Sequence, residues 1–353
     1  AAGQQFNINS PKQLGKVLFE DLGLPHGKKT KTGWSTNADV LEKLKDQPLV
    51  ADVLTYRQYA KLKSTYADGL LKVIDPDGRI RTSFQMTVTA TGRLSSTEPN
   101  LQNIPTRTDL GSKMREMFVA APGHVLVDAD YSQIELRLLA HISGDEAMQQ
   151  AFLSGEDFHT VTAARVFHVP QDQVTHQMRS RAKAVNFGIV YGISAFSLAQ
   201  DIGVSVAEAK AYMERYFETY QGVRQYMTDV VAKAEQDGYV QTLMHRRRAL
   251  PELKSSNFNV RSGAERIALN TPIQGTAADL IKLAMIRVEN ALNEKYPDAQ
   301  LLLQVHDELI VECPEGIAQE VAALVSREME NVASLSVPLT AEAKFGKSWY
   351  EAK

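Results

Sequence analysis

Residues 301–303 with Val305, and residues 309–311, are apolar runs too short for helices. The polar interval His306-Asp307-Glu308 between them predicts a β-hairpin with acids at its tip. A second strand is predicted where Val125-Leu126-Val127 runs through Asp128 and Ala129 into Asp130. Between these strands, residues 146–236 carry helical periodicity broken at Val169-Pro170 and Tyr220-Gln221-Gly222. Upstream, Asn9-Ser10-Pro11 opens a helical stretch, residues 24–36 form a basic, turn-rich loop, and helical periodicity returns over residues 38–71. Asp75-Pro76-Asp77-Gly78 predicts a turn and residues 79–87 a β-rich segment. The last third predicts two helices, 260–267 and 277–291, then the hairpin and a final extended segment. No internal repeat or low-complexity segment interrupts this order.

Charge changes the picture in one respect. The 353 residues can bury a large core, and 39 Lys+Arg against 42 Asp+Glu give a net charge of −3, which excludes wholesale electrostatic adhesion to nucleic acid. Any such contact must come from local clusters, for which Lys28-Lys29-Thr30-Lys31 and His245-Arg246-Arg247-Arg248 are candidates, although such clusters are more often solvated loops. The single cysteine, Cys313, rules out an intramolecular disulfide and a multi-cysteine zinc site. No apolar stretch reaches membrane-spanning length, so a cytoplasmic protein is expected. The chain opens Ala1-Ala2-Gly3 without an initiator methionine, and a fragment is expected.

Candidate chemistry lies in two acids and a helix. Asp130 and Asp307 sit at distant strand ends, where acids are commonly solvated turn residues, but where two of them could also share a metal. In the segment between them Arg179, Lys183, Phe187 and Tyr191 recur every four residues, with Thr175 placed as N-cap. Two cations followed by two rings on one stripe suit a polyphosphate with a base stacked beyond it; the alternative is an ordinary amphipathic helix. Gly188 and Gly192 weigh against that alternative, because a glycine costs a helix interior about 1 kcal/mol relative to alanine.

Three blocks, Asp128-Ala-Asp-Tyr-Ser-Gln-Ile-Glu-Leu-Arg137, residues 179–192 and Gln304-Val-His-Asp-Glu308, resemble the polymerase motifs of family A DNA polymerases, the bacterial DNA polymerase I type. Residues 89–105 and 270–279 resemble further blocks of that family, in its order, and the resemblance runs from about Phe6 to the end of the chain. It implies an α+β right-hand fold: a partial helical thumb (1–72), an antiparallel-sheet palm in two parts (73–145 and 259–353) and helical fingers (146–258). A near match to a phosphate-binding loop, Ala341 to Ser348, lacks its first glycine and is followed by too few residues for the required helix.

The resemblance further implies template-directed DNA synthesis on a primer 3′-hydroxyl, with primer–template DNA and deoxynucleoside triphosphates as partners and a monomeric enzyme. Two Mg²⁺ ions, for which Mn²⁺ could substitute, would lie about 3.5–4 Å apart. Asp130, Asp307 and the Tyr131 carbonyl would be metal ligands, and Glu308 an accessory acid that binds through water or not at all. Asp128, although on the same face of its strand as Asp130, receives no metal role. Arg179, Lys183, His159 and Gln133 would hold the triphosphate, with Lys183 as proton donor to pyrophosphate. Phe187 and Tyr191 would flank the base and ribose, and Glu135 would block a ribose 2′-hydroxyl. Arg93, Asn100, Asn103, Arg266, Asn270, Gln274 and His306 would hold the primer–template, whose minor-groove acceptors report shape without sequence. A phage-type RNA polymerase shares several of these features, but Glu135 and its Gln-Ile-Glu-Leu-Arg context oppose it. A non-catalytic DNA clamp would need none of the acids.

Overall fold

Residues 2–31, 33–106 and 108–353 are described by the computed structural model. They form two compact units, Ala1–Thr82 and Ser83–Lys353.

In the first unit Ser10 caps the helix Pro11–Gly15 by accepting from the Gln13 amide, with Pro11 at the first helical position, as the Asn-Ser-Pro opening predicts. The core is Leu14, Leu18, Phe19, Leu41, Val50 and Val53. The periodic stretch 38–71 is not one helix but Ala38–Glu42, then Pro48–Lys61 continuing through a π segment Leu62–Ala67 into Asp68–Leu70. Pro48 forces the restart: it holds Gln47 extended (φ −83, ψ 125) and lacks an N–H to continue a preceding helix. In the basic loop Lys29–Thr30 pairs with Gly33–Trp34. The predicted turn closes with the Gly78 amide on the Asp75 carbonyl at 2.9 Å.

The second unit is built on a four-stranded antiparallel sheet in the order Ala341–Gly346, His124–Tyr131, Glu308–Pro314, Gln300–Val305. The two central strands are buried along almost their whole length, which is why they read as continuous apolar runs. Asp130 lies within its strand rather than beyond it, directly opposite Glu308 on one side and Glu342 on the other. The hairpin forms as predicted, leaving His306 and Asp307 as the turn, with His306 in the left-handed region at φ 53. The phosphate-loop look-alike is the edge strand Ala341–Gly346. The β-rich segment 79–87 reduces to Ser83–Gln85, paired with Ser95–Thr97.

Most helices between the sheet halves open on side-chain caps: Asp145, Asp157, Thr175, Ser194 and Ser205 each accept an amide of the first turn, whereas Ile134–Ser143 and Gln221–Asp237 have no such cap. The predicted break at Val169-Pro170 follows the helix Phe158–Phe167, whereas at Tyr220-Gln221-Gly222 only Tyr220 separates Val206–Thr219 from the next helix, Gln221–Asp237. The two helices expected at 260–267 and 277–291 are instead one 38-residue helix, Phe258–Lys295, with Pro272 inside it. An interior proline costs about 3 kcal/mol or more. Packing on both sides offsets it, since Ala264 and Ala268 join one buried cluster with Val240 and Leu250, and Ile273, Ala277, Leu280 and Ile281 join the main core. Among the described residues no helix is long and apolar enough to cross a membrane.

Candidate active site

The sheet brings the two predicted acids together. The amide of Tyr131, next to Asp130, donates to the carbonyl of Asp307 at 3.1 Å, so the strand end and the hairpin turn are locked side by side. Burial raises the pKa of Asp130, with Lys353 opposing, and burial pushes Asp307 up to about 6, with Arg93 opposing and Glu135 and Asp130 adding. Glu308 is not in an exposed acidic turn. It is buried at the first position of its strand, one oxygen accepting from Arg115 at 3.1 Å and the other from Lys353. Asp128 is also buried, its Oδ2 accepting from Trp349 Nε1 at 3.1 Å while Oδ1 has no hydrogen-bond partner; burial, then Glu308, pushes it up to about 7. Asp128, Asp130, Glu135, Asp307 and Glu308 thus outnumber Arg93, Arg115 and Lys353 around them, an arrangement that favours further cations.

Glu135, buried in the first turn of the helix Ile134–Ser143, accepts from Arg93 at 2.8 Å and from the Tyr191 hydroxyl at 2.8 Å. It therefore ties the 89–105 block to the end of the cationic helix. That helix runs His176–Val190, so Tyr191 is its C-cap and Gly192, at φ +64, lies outside it rather than in its interior. Gly188 is interior, and a Cβ there would meet Ile193 Cγ2 at 2.6 Å. Close approach placed Gly188, and the turn placed Gly192. Lys183 is exposed, and Arg179 forms a two-pronged pair with Asp157 at 2.7 and 3.1 Å. Partial burial pushes the Asp157 carboxyl up, but Arg179 and the Thr160 amide outweigh it and bring it to about 2. His159 is buried, its Nδ1 paired with Asn186 Nδ2 at 2.9 Å and its ring 5.7 Å from that of Phe187; burial brings it down to about 4, so the ring is neutral near pH 7.

Gln133 precedes the helix at φ 54, and its Oε1 is buried without a partner; Asn270 Nδ2, in the long helix, is likewise buried without one. Asn100 accepts from the Gln102 amide and caps the short turn Leu101–Asn103, whose Gln102 side chain in turn holds Gln304. Asn103 and His306 are exposed, and Gln274 is half-buried in the long helix. Arg266 and Tyr191 are among the residues lining a pocket of about 390 Å³ that also takes in Phe187, Gly188 and Ser197. The basic cluster is not free: Arg246 is held by Asp279 at 2.9 Å and by the Thr91 and Gly275 carbonyls at 2.6 and 3.0 Å, and Arg247 lies over the Tyr239 ring. Asp157, Arg115, Asn186, Trp349 and Lys353 were not singled out from sequence. No local pattern marks them, because each acquires its role from a partner distant in the chain.

The sequence model described as DNA polymerase family A matches residues 1–351. Among curated relatives, DNA polymerase I of Bacillus subtilis (strain 168) is 58% identical over 355 residues, covering 100% of this chain and 40% of its own length. That of Geobacillus stearothermophilus is 56% identical, with 100% and 40% covered. The chain thus spans about two-fifths of the length of these relatives. A solved structure described as the POL domain of Pol1 from M. smegmatis in complex with DNA primer-template and dNTP superposes with a TM-score of 0.94 at 50% identity, covering 99% of this chain and 62% of that one.

Proposed function

From a chain that belongs to DNA polymerase family A, we propose template-directed DNA synthesis: transfer of deoxynucleotides to a primer 3′-hydroxyl with release of pyrophosphate. The observation that carries the reading is the junction of Asp130 and Asp307, two carboxyls with raised pKa held together by the Tyr131–Asp307 backbone bond. The subdomain reading is part of the proposal: residues 1–72 as partial thumb, 73–145 and 259–353 as palm, 146–258 as fingers. So are a monomeric state and a cytoplasmic location.

Divalent-metal dependence goes with the family, and we assign the ions as two Mg²⁺, with Mn²⁺ able to substitute. The donor set fits, because carboxylate oxygens suit a hard cation and the surrounding acids exceed the resident cations. Among the described residues no group of three or more His, Cys, Asp or Glu is placed to hold a metal alone. That agrees with Mg²⁺ practice, in which one or two carboxylates act with substrate phosphates and water. Asp130, Asp307 and the Tyr131 carbonyl would hold the ions, which when bound supply charge neutralisation at the reacting phosphate and activation of the hydroxyl.

The remaining roles belong to the chain. Arg179 and Lys183 neutralise the triphosphate, and Lys183, exposed and mobile on its four-carbon stem, delivers a proton to pyrophosphate as it leaves. His159, neutral, contributes an N–H rather than a charge, and Gln133 a further polar contact. Phe187 and Tyr191 stack beside the incoming nucleotide. Glu135 stands under the sugar, with its carboxylate fixed by Arg93 and Tyr191. Arg93, Asn100, Asn103, Arg266, Asn270, Gln274 and His306 face the primer–template.

The test is primer extension on a defined template with Mg²⁺ and all four deoxynucleotides. Asp130→Ala and Asp307→Ala should each cost several powers of ten in rate while leaving DNA affinity within a few-fold, because binding rests on contacts elsewhere. Parental extension by either variant would overturn the metal assignment.

A further inference from the structure

We propose that Lys353 is a positioning residue that holds the Asp130–Glu308 edge of the acid cluster in the ligand-free enzyme and competes with the divalent ion for Asp130. The inference rests on the assignment of Asp130 as a metal ligand. Asp130 and Glu308 are directly opposed across neighbouring strands, where like charges repel. Two cations answer them, and they differ in kind.

Arg115 is fixed. It is buried, donates to Glu308 Oε1 at 3.1 Å, and its guanidinium lies 4.0 Å from the centre of the Trp349 ring. Trp349 is itself anchored by its bond to Asp128. Lys353 takes the other oxygen of Glu308 and reaches within 3.7 Å of Asp130 Oδ2, yet its side chain is 43% exposed. A hydrated ammonium on a flexible stem can leave such a position without disturbing the sheet, whereas a stacked, buried guanidinium cannot. Arg115 therefore compensates Glu308 permanently, and Lys353 compensates Asp130 only until another cation arrives.

An ammonium beside Asp130 and a divalent ion on the same carboxylate repel each other, so each weakens the other's affinity for the site by the same factor. The partly exposed Asp130 pair sets the size of the effect at about two- to fivefold in metal affinity. Glu308 then serves as the hinge of the exchange, keeping Lys353 close when it swings away from Asp130.

The experiment is a titration of the free protein with Mn²⁺ alone, followed by electron paramagnetic resonance. It compares the parent, Lys353→Gln, Lys353→Arg and Asp130→Asn, with the double variant Lys353→Gln/Asp130→Asn as control. Lys353→Gln should bind Mn²⁺ about two- to fivefold more tightly, Lys353→Arg should stay near the parent, and the gain should vanish in the double variant. Equal or weaker binding by Lys353→Gln, including binding too weak to detect in both proteins, overturns the proposal. Retention of parental binding by Asp130→Asn would instead overturn the metal assignment itself and the proposal with it.

Discussion

Glu135 has two testable roles at once, the selectivity proposed for it and the two hydrogen bonds it makes. Its two oxygens hold Arg93 and the Tyr191 hydroxyl, so its removal strands two polar groups and, on the proposed assignment, opens space beneath the sugar. Glu135→Ala should raise the ratio of ribonucleotide to deoxynucleotide kcat/KM and lower stability by about 1–3 kcal/mol. Glu135→Gln, of equal size, should keep most of the sugar discrimination while losing stability; a competition assay and thermal unfolding separate the two effects. His159 offers a pH test. Burial, reinforced by Arg179 and Lys183 and opposed by Asp157, lowers its pKa from 6.5 to about 4. The unfolded chain therefore binds the extra proton first as pH falls, and stability present above about 6.5 is lost toward pH 4, by up to about 3 kcal/mol. His159→Gln should flatten that part of the stability profile, measured as unfolding midpoints at pH 7 and pH 4.5.

At the scale of elements, the end of the cationic helix is set by contacts that propensity alone would contradict. Alanine is a better helix former than glycine, yet a Cβ at Gly188 would press on Ile193 Cγ2 at 2.6 Å, two residues past the Tyr191 C-cap. Gly188→Ala should lower the unfolding midpoint and raise the apparent nucleotide KM. Adding Ile193→Ala should recover part of both losses, and a double-mutant cycle showing strict additivity would refute the packing explanation. The single long helix has the same origin. Pro272 marks a helix break in the sequence, but buried partners before and after it hold both halves in line.

Over the whole second unit, Arg246 joins the 89–105 block to the strand pair Tyr239–Gln241/Arg247–Ala249 and the long helix. Gly92 and Gly275 permit this, since a Cβ at either would meet the guanidinium at 2.5 or 3.0 Å. Lysine cannot reproduce three divergent bonds. Arg246→Lys should leave Asp279 poorly compensated and cost about 2–3 kcal/mol in unfolding free energy. The KM for deoxynucleotides should stay near the parental value. A large rise in KM with no change in stability would place Arg246 in substrate binding instead.

The hairpin at 301–311, the strand into Asp130, the capped cationic helix and the family were legible in the sequence, because each depends on periodicity, turn chemistry and motif spacing within a short window. Which carboxyls stand exposed and which are neutralised was not. Asp307 and Glu308 are adjacent in sequence, yet one lies in the turn and the other is clamped between Arg115 and Lys353, residues 193 and 45 positions away. Asp128 and Asp130 share a strand face, but only Asp128 meets the Trp349 indole. The Arg246 cluster was readable as a nucleic-acid contact or a solvated loop, and in the fold Arg246 is a joint. Local pattern fixes which segments become strands and helices; the environment of each charge is set by residues far along the chain, which only the folded sheet and the helices packed on it bring within a few ångströms.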